Sequence, residues 1–495
     1  MALEKLSPED DSRRRELTEL RQQLEAVPPP RWHLITSLPV ELVVTIFALS
    51  NNPTVIAHVC HEWRAFAHSQ PAIWRNLVLN AAPSGGVPVL QKINEWHKWS
   101  SGWIAELHIR KSLGTALFPS GVGKAPDRSG MYDDVIAALR RLDLTKLKEC
   151  HTQDMDLGLF LPALLGGGNY DGKNLERLSS LCKCSHFLNI PFGCGTLSWQ
   201  SLRSLSLTGL LCEWAELSMS MRCLTSFEYK IYQDHGSFKD FHQFLHANAS
   251  TLEKLVVVAE RQTFGTSYQS TDPPEPLTLA RLHHLELNGV LPFHHGNLSL
   301  PSIRILRISW LKEIASLLSI LLEDGGSTSF EELVEFTIPG GLVGPQILSA
   351  ALLRAPKLKI LRCSDFDCVV VADTLSQKPC TALLRDPSTQ QLVSVQLPVL
   401  CPALSVLDFT WSRQLKADQV VRIIKERIAL AASEEAGRYQ LPGPDGGDRR
   451  VSFIQTLTVD GCFQTEQDKF PWFEENVPDF SCIRYRQSDM MKRDS

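Results

Sequence analysis

Leu282-His283-His284-Leu285-Glu286-Leu287 and Ile303-Arg304-Ile305-Leu306-Arg307-Ile308 are two copies of one pattern, apolar-x-x-apolar-x-apolar, that returns along most of the chain. Its last two apolar positions alternate with others, the period of a strand with one face in a core and one in water. Further copies stand at Ile104-Leu107-Ile109, Leu202-Leu205-Leu207, Leu224-Phe227-Tyr229, Leu252-Leu255-Val257, Leu333-Phe336-Ile338, Leu358-Leu361-Cys363, Leu404-Leu407-Phe409 and Ile454-Leu457-Val459. Hydrophobic residues make up 43% of the chain, so three fixed apolar positions arise by accident at about one start in twelve, and spacing has to decide. From 202 to 358 the starts lie 22, 28, 30, 21, 30 and 25 residues apart, and the last two gaps stretch to 46 and 50. Pro301, Pro356 and Pro402 stand just before copies, and helical patterns run over Phe238 to Ala247, Leu311 to Leu322 and Ile347 to Leu353. Strand, turn and helix then alternate once per repeat.

These copies resemble the strands of leucine-rich repeats. The resemblance implies an α/β fold class in which a small all-α segment is followed by an irregular leucine-rich-repeat-like solenoid. The irregularity is expected because the asparagine that regular repeats place after the strand is largely missing. Two weaker copies, one in Leu139 to Glu149 and one at Leu175-Leu178, fill the gap between 109 and 202. A conventional layered α/β domain is the competing reading. In a solenoid the x positions point away from the core and line one continuous face. Lys254, His284, Glu286, Arg307, Arg362 and Asp408 are the candidate substrate-binding residues on that face, with Asn288, Arg304, Glu335, Lys359 and Asp460 sharing the pattern. Their mixture of signs argues against a single highly charged ligand.

Ahead of the repeats stands Leu38-Pro39-Val40-Glu41-Leu42-Val43-Val44-Thr45-Ile46-Phe47, followed by Val59-Cys60-His61-Glu62-Trp63-Arg64 and by Pro71-Ala72-Ile73-Trp74. Pro39 suits a helix start, and Leu42, Val43, Ile46 and Phe47 recur at helical steps. Asn51-Asn52-Pro53 breaks that helix. From Thr54, an expected N-cap, apolar residues continue to Ser69-Gln70-Pro71 with a bend near Cys60-His61. About forty-five residues bury little apolar surface alone, so these helices are expected to complete their core against something else.

This segment resembles an F-box, and in that family the something else is the Skp adaptor. Carried over by position, Leu38, Pro39, Glu41, Ile46, Phe47, Val59, Cys60, Trp63 and Trp74 match the family's adaptor-binding or core-forming residues. The sequence does not separate those two roles. A helical cap on the next domain, with the same residues as plain core, is the other reading of the segment.

The expected organisation is residues 1–30 as an N-terminal amphipathic helix and Pro-rich link, 31–80 as the F-box, 81–480 as the solenoid and 481–495 as a C-terminal tail. Leu17, Leu20, Leu24 and Val27 fall at helical steps before Pro28-Pro29-Pro30. Asp418 is expected to cap a helix through Val420 to Ile428, and Ser433 to Arg450 is expected to be a mobile loop.

Charged residues make up 21% of the 495, and the net charge is -5. With no basic block interleaved with aromatics, nucleic acid is set aside. The amino terminus lacks an apolar run behind a basic flank, and Ile314 to Leu322 falls short of the ~20 residues a membrane span needs. A cytoplasmic or nuclear location is expected, without membrane attachment, and the thirteen cysteines read as reduced, mostly buried thiols. Nucleophile elbow, phosphate loop, His-Glu-x-x-His and Cys-x-x-Cys signatures are missing. Cys182-Lys183-Cys184-Ser185-His186 has close thiol and imidazole spacing but no second pair to complete four ligands, and Leu165-Gly166-Gly167-Gly168-Asn169 reads as an inter-repeat loop. No metal, cofactor or catalytic residue is therefore expected.

The two resemblances together imply a substrate-recognition subunit of an SCF-type cullin-RING ubiquitin ligase and not an enzyme. Its F-box would dock on the Skp adaptor, and through it on cullin and RING subunits, while the solenoid holds a protein substrate near the charged conjugating enzyme. A leucine-rich-repeat scaffold with no ligase attached is the alternative.

Overall fold

The computed structural model describes Thr18 and residues 38–50, 53–81, 86–111, 137, 139, 142, 144–153, 173–181, 199–209, 212, 214–231, 238–259, 275–289, 298–309, 314–322, 330–339, 343–364, 368–376, 380–385, 391–412, 415–441, 449–462 and 467–482. The chain divides into two compact units, one of residues 1–76 with 96–102 and one of residues 77–95 with 103–495. Apart from Thr18, the expected N-terminal helix lies outside the described residues, as do Cys182 to His186 and Leu165 to Asn169.

The first unit is helical. Its helices are Val40–Leu49, Pro53–Val59 and His61–Ser69, followed by the 3-10 turn Pro71–Trp74. The break between the second and third falls at Cys60, whose Sγ accepts from the Trp63 N–H at 3.4 Å and caps the third helix. Thr54 is not the cap expected of it: the second helix starts one residue earlier, at Pro53, where a missing N–H costs nothing. Aromatic rings make the core. Phe47 lies 5.0 Å from Trp63 and meets Phe66 edge-on at 5.7 Å. Trp74 meets Trp96 edge-on at 4.8 Å and donates its Nε1–H to the Ala67 carbonyl at 2.7 Å. His68 stacks on Trp99 at 4.4 Å.

The second unit is built on a 14-stranded sheet. The strands of the chain, in order, are β1 Asn76–Ala81, β2 Glu106–Lys111, β3 Glu149–Gln153, β4 Arg177–Leu181, β5 Ser204–Thr208, β6 Ser226–Ile231, β7 Lys254–Ala259, β8 Leu277–Thr278, β9 His284–Asn288, β10 Leu298–Ser299, β11 Ile305–Ser309, β12 Glu335–Pro339, β13 Ile360–Ser364, β14 Cys380–Arg385, β15 Leu392–Leu397, β16 Val406–Asp408, β17 Arg438–Tyr439, β18 Arg449–Arg450, β19 Thr456–Thr458 and β20 Asp479–Ser481. The sheet takes fourteen of them in chain order, leaving out β8, β10, β14, β15, β17 and β18. From β2 to β20 each neighbour pairs in parallel. This is a solenoid-like α/β arrangement.

All ten copies of the apolar pattern supply sheet strands, and their core positions are buried. In-register partners such as Leu205↔Phe227 and Leu207↔Tyr229 carry the alternation from strand to strand. Four further copies are weaker, and two of them, at Trp74 and Val477, do not stand out in the sequence. Leu147-Cys150-Thr152 and Leu175-Leu178-Ser180 feed β3 and β4, with the Thr152 hydroxyl donating to Ser180 Oγ at 2.9 Å inside the core. The first of these corrects the copy expected in Leu139 to Glu149, which begins eight residues later. Trp74-Leu77-Leu79 and Val477-Phe480-Cys482 feed β1 and β20, so residues 76–80 and 479–481 belong to the sheet.

One main-chain motif couples the repeats. A single carbonyl just before each sheet strand from β2 to β16 accepts two successive N–H groups of the next repeat, at 2.7–3.2 Å. Ala105 takes Lys148 and Glu149, Thr225 takes Glu253 and Lys254, Val334 takes Lys359 and Ile360, and Ser405 takes Gln455 and Thr456. Buried Asn248 adds a side-chain clasp: its Oδ1 accepts from Leu224 N at 3.1 Å, and its amide donates to the Met221 and Phe244 carbonyls at 3.0 Å each.

Helices cover the other side of several repeats. The expected Phe238 to Ala247 helix forms with those bounds, and Ile314–Leu322 and Pro345–Leu353 form slightly inside or ahead of the expected patterns. The long gap before β16 holds helix Val369–Leu375 and the antiparallel hairpin β14–β15. Helix Ala417–Ala432 begins after Lys416, whose N–H is accepted by Gln419 Oε1 at 3.2 Å; Asp418 stands in its first turn and is not its cap. Arg427 of that helix is buried and donates to the Leu400 and Cys401 carbonyls at 2.6 and 3.1 Å, which fixes the turn where Cys401 adopts φ 46°. Burial lowers its pKa to about 10. The segment expected to be a mobile loop from Ser433 is in part ordered, because β17 pairs with β18 and Tyr439 and Leu441 join Ala382, Leu384, Val395 and Leu397 in a small core.

Replacing Asn248 with Leu strands the Leu224 N–H and two carbonyls in an apolar setting, at about 1–3 kcal/mol for each group left unpaired. The Asn248→Leu chain is expected to unfold at a clearly lower urea concentration, with amide exchange accelerated first at Leu224.

Candidate functional site

The nine F-box-like residues separate into two sets. Phe47 and Trp74 are core, Trp63 is half-buried against Phe47, and Cys60 is a helix cap. Leu38 is half-buried, while Pro39, Glu41, Ile46 and Val59 face solvent. Exposure finds neighbours that the motif did not name. Leu42, Ile46 and Leu49 are 51%, 53% and 74% exposed, and their i, i+4, i+7 spacing makes one stripe on Val40–Leu49, beside the buried stripe of Val43 and Phe47. Val55 and Val59 repeat the arrangement on Pro53–Val59, beside buried Ile56. An apolar stripe facing water is what a docking surface looks like before its partner arrives.

The six predicted solenoid residues all belong to the outward rows of the sheet. Strand register puts Glu286, Arg307, Thr337, Arg362 and Asp408 in one row, and Lys254, His284, Ile305, Glu335 and Ile360 in the row beside it. Arg307 Nε lies 2.9 Å from Glu335 Oε1 and its NH1 3.5 Å from Glu286 Oε2. Arg362 Nε is 3.7 Å from the same Glu335 oxygen, and His284 Nε2 is 3.7 Å from Glu286. His284, Glu286, Arg307, Glu335 and Arg362 are thus one chain of charge, with the buried Glu335 carboxylate as its anchor. Lys254 is apart from it, 2.5 Å from Glu228. Asp408 is also apart and accepts from the Thr410 N–H at 3.0 Å and from its hydroxyl.

Electrostatics follow from these contacts. The His284 imidazole, helped by Arg307 and opposed by burial, holds Glu286 below the usual carboxylate range. The hydrogen bond to Glu335 holds Arg307 above its own. A face whose charges are already paired offers hydrogen-bonding edges more than net field.

The same rows continue to the other end of the sheet with residues the sequence did not single out: Glu106, His108, Glu149, His151 and Arg177 on β2 to β4. Cys150, Thr152 and Ser180 weaken the apolar signal there, so β3 and β4 do not read as regular copies. Burial first, then the Glu149 charge, raises the Glu106 pKa. Burial first, then His151 and Arg110, lowers that of His108.

Among the described residues no group of His, Cys, Asp and Glu is arranged to hold a metal ion, and no helix is long and apolar enough to cross a membrane. Burial pushes the Cys150 and Cys401 thiols up to about 12, away from the range of nucleophilic cysteines.

No protein-family model matches the chain, and no curated protein matches it. Among solved structures, the chain is similar to one in the crystal structure of the Rad7 and Elc1 complex in yeast, at 12% identity and a TM-score of 0.36, over 98% of this chain and 100% of that one.

The two shifted carboxylates respond oppositely to pH. Glu286, with a lowered folded value, contributes stability that is present above its unfolded value of about 4.5 and is lost as pH falls through the folded value. Glu106, with a raised value, costs stability once pH rises through 4.5 and then through its folded value. Urea midpoints at pH 7 are expected to fall for Glu286→Gln and rise for Glu106→Gln, and both differences are expected to shrink toward pH 3.5.

Proposed function

We propose that this chain is a substrate-recognition subunit of an SCF-type cullin-RING ubiquitin ligase, acting in the cytoplasm or nucleus and without catalytic groups of its own. The observation that carries the reading is the solvent-facing stripe Leu42, Ile46 and Leu49, with Val55 and Val59 on the next helix. Three short helices that present this much aliphatic surface need a partner, and the order of Leu38-Pro39, Ile46-Phe47, Val59-Cys60, Trp63 and Trp74 resembles segments that use the Skp adaptor as that partner. Docking belongs to Leu42, Ile46, Leu49, Val55 and Val59, with Leu38, Pro39 and Glu41 at the helix start. Phe47, Trp63 and Trp74 support that surface from within, and exposed Cys60 caps the third helix.

In this reading the outward rows of the sheet hold the protein substrate. Lys254, His284, Glu286, Arg307, Arg362 and Asp408 supply selection through paired charges, and transfer follows from proximity to a conjugating enzyme recruited through cullin and RING subunits. No step of the chemistry falls to this chain.

Full-length chain is expected to capture a purified Skp adaptor. Leu42→Glu and Ile46→Glu should abolish capture while moving the unfolding free energy by no more than about 0.5 kcal/mol, as exposed positions do. Trp74→Ala should instead lose about 3–5 kcal/mol of stability. A folded wild-type chain that captures no adaptor would refute the ligase reading and leave a scaffold.

A further inference from the structure

His151 and Ser179 are in-register partners on the parallel strands β3 and β4, so their side chains leave the same outward face side by side. His151 Nδ1 lies 2.6 Å from Ser179 Oγ. Its other ring nitrogen, Nε2, lies 3.5 Å from Glu149 Oε2, two residues back on the same strand. These contacts select one tautomer: the carboxylate holds the proton on Nε2, which leaves the Nδ1 lone pair facing the serine hydroxyl. Arg177, two residues before Ser179, places NH1 3.2 Å from Glu149 Oε1 and steadies the carboxylate. His108, from β2, stacks over the ring of His151 at 4.5 Å with 13° between planes and leaves the ring edge to Ser179. A nucleophile within hydrogen-bond reach of a base, with the base oriented by a third group, is the arrangement that activates a serine.

The next strand supplies a donor for the charge that attack would create. Ser206 on β5 is the in-register partner of Ser179, and its hydroxyl reaches Glu228 Oε2 at the long distance of 3.4 Å, so turning it toward an oxyanion costs little. The main-chain N–H groups of β4 are taken up in pairing with β3 and β5, so no pair of them is left to form an oxyanion hole. A site with hydroxyl donors alone stabilises a tetrahedral oxyanion weakly. That restricts the acyl donor to one with a good leaving group. His151 and Glu149 keep 31% and 23% of their side-chain surface in solvent, from which such a donor arrives.

We propose that Ser179 is a covalent acceptor site that takes an acyl group from a thioester, with His151 as its base. As Oγ attacks the thioester carbon, its proton passes to His151 Nδ1. The C–S bond then breaks, and the imidazolium returns the proton to the leaving thiolate. The products are a serine ester and a free thiol, with no net change in protons or electrons. The chain is the acceptor here and passes nothing onward. Glu149, His151 and Ser179 all belong to the second unit, so the reaction does not depend on adaptor docking.

The test incubates full-length chain with S-phenyl thioacetate at pH 8, clears thioesters from exposed thiols such as Cys60 with neutral hydroxylamine, and locates the remaining acetyl groups by tandem mass spectrometry. Acetylation is expected at Ser179. Ser204, Ser206 and Ser226 share the face but have no histidine as a register partner, and should stay unmodified. His151→Gln should slow acetylation of Ser179 by about 100-fold. Glu149→Gln, which frees the ring to take the other tautomer, should slow it by about ten-fold. Circular dichroism establishes that each variant is folded. No acetyl group on Ser179 of the folded wild-type chain, equal modification of the other three serines, or an unchanged rate in folded His151→Gln would overturn the proposal.

Discussion

One carbonyl accepting two N–H groups is the constraint on which the repeat unit rests. Because the acceptor stands just before a strand and the donors are the residue just before the next strand and that strand's first residue, each contact fixes the register of the following pair. A slip of one residue would turn every buried side chain out to water. Register locked by main chain leaves side chains at the core positions free to vary. That freedom explains how Cys150 and Thr152 on β3, and Ser180 on β4, sit where leucine stands elsewhere without interrupting the sheet.

The same constraint shows what the sequence could and could not disclose. Ten strands were legible because their apolar positions repeat at steady spacing, and alternation of period two is the mark of a strand with one buried face. Two more, β3 and β4, were legible only as weak copies, β3 without its register, and two, β1 and β20, were not legible. In β3 and β4 the core is partly polar, and Thr152 and Ser180 satisfy each other only because strand pairing brings them together across 28 residues. In β1 and β20 the first position is Trp74 or Val477, each adjoining a segment that also reads as helical. The helix caps differ from expectation for a related reason. Asp418 and Thr54 are good caps by type, but Gln419 and Pro53 satisfy or remove the N–H groups concerned.

For the helical unit, the motif marks residues without saying which way they face. Ile46 and Phe47 are neighbours of similar hydrophobicity, yet one is exposed and the other buried, since a helix turns 100° per residue. The spacing of Leu42, Ile46 and Leu49 was present in the sequence; that these, and not Val43 and Phe47, are the outer set follows only from where the Trp63 and Phe66 rings lie. Leu42, Leu49 and Val55 fall outside the residues that the motif marks, because a motif marks positions, whereas an exposed surface is made by every apolar side chain left on it.

The sheet face reverses that logic. Its apolar surface is already buried, and what remains outward is mostly charge neutralised in place, with Glu335 holding Arg307 and Arg362 at once. Such pairs add little attraction at long range, since each cation's field is cancelled within a few ångströms. They do hold guanidinium and carboxylate edges at fixed positions, so a partner must match a spacing more than a net charge. The two units therefore suit different kinds of contact: aliphatic side chains that favour association with any complementary apolar groove, and a paired polar lattice that discriminates among partners brought against it.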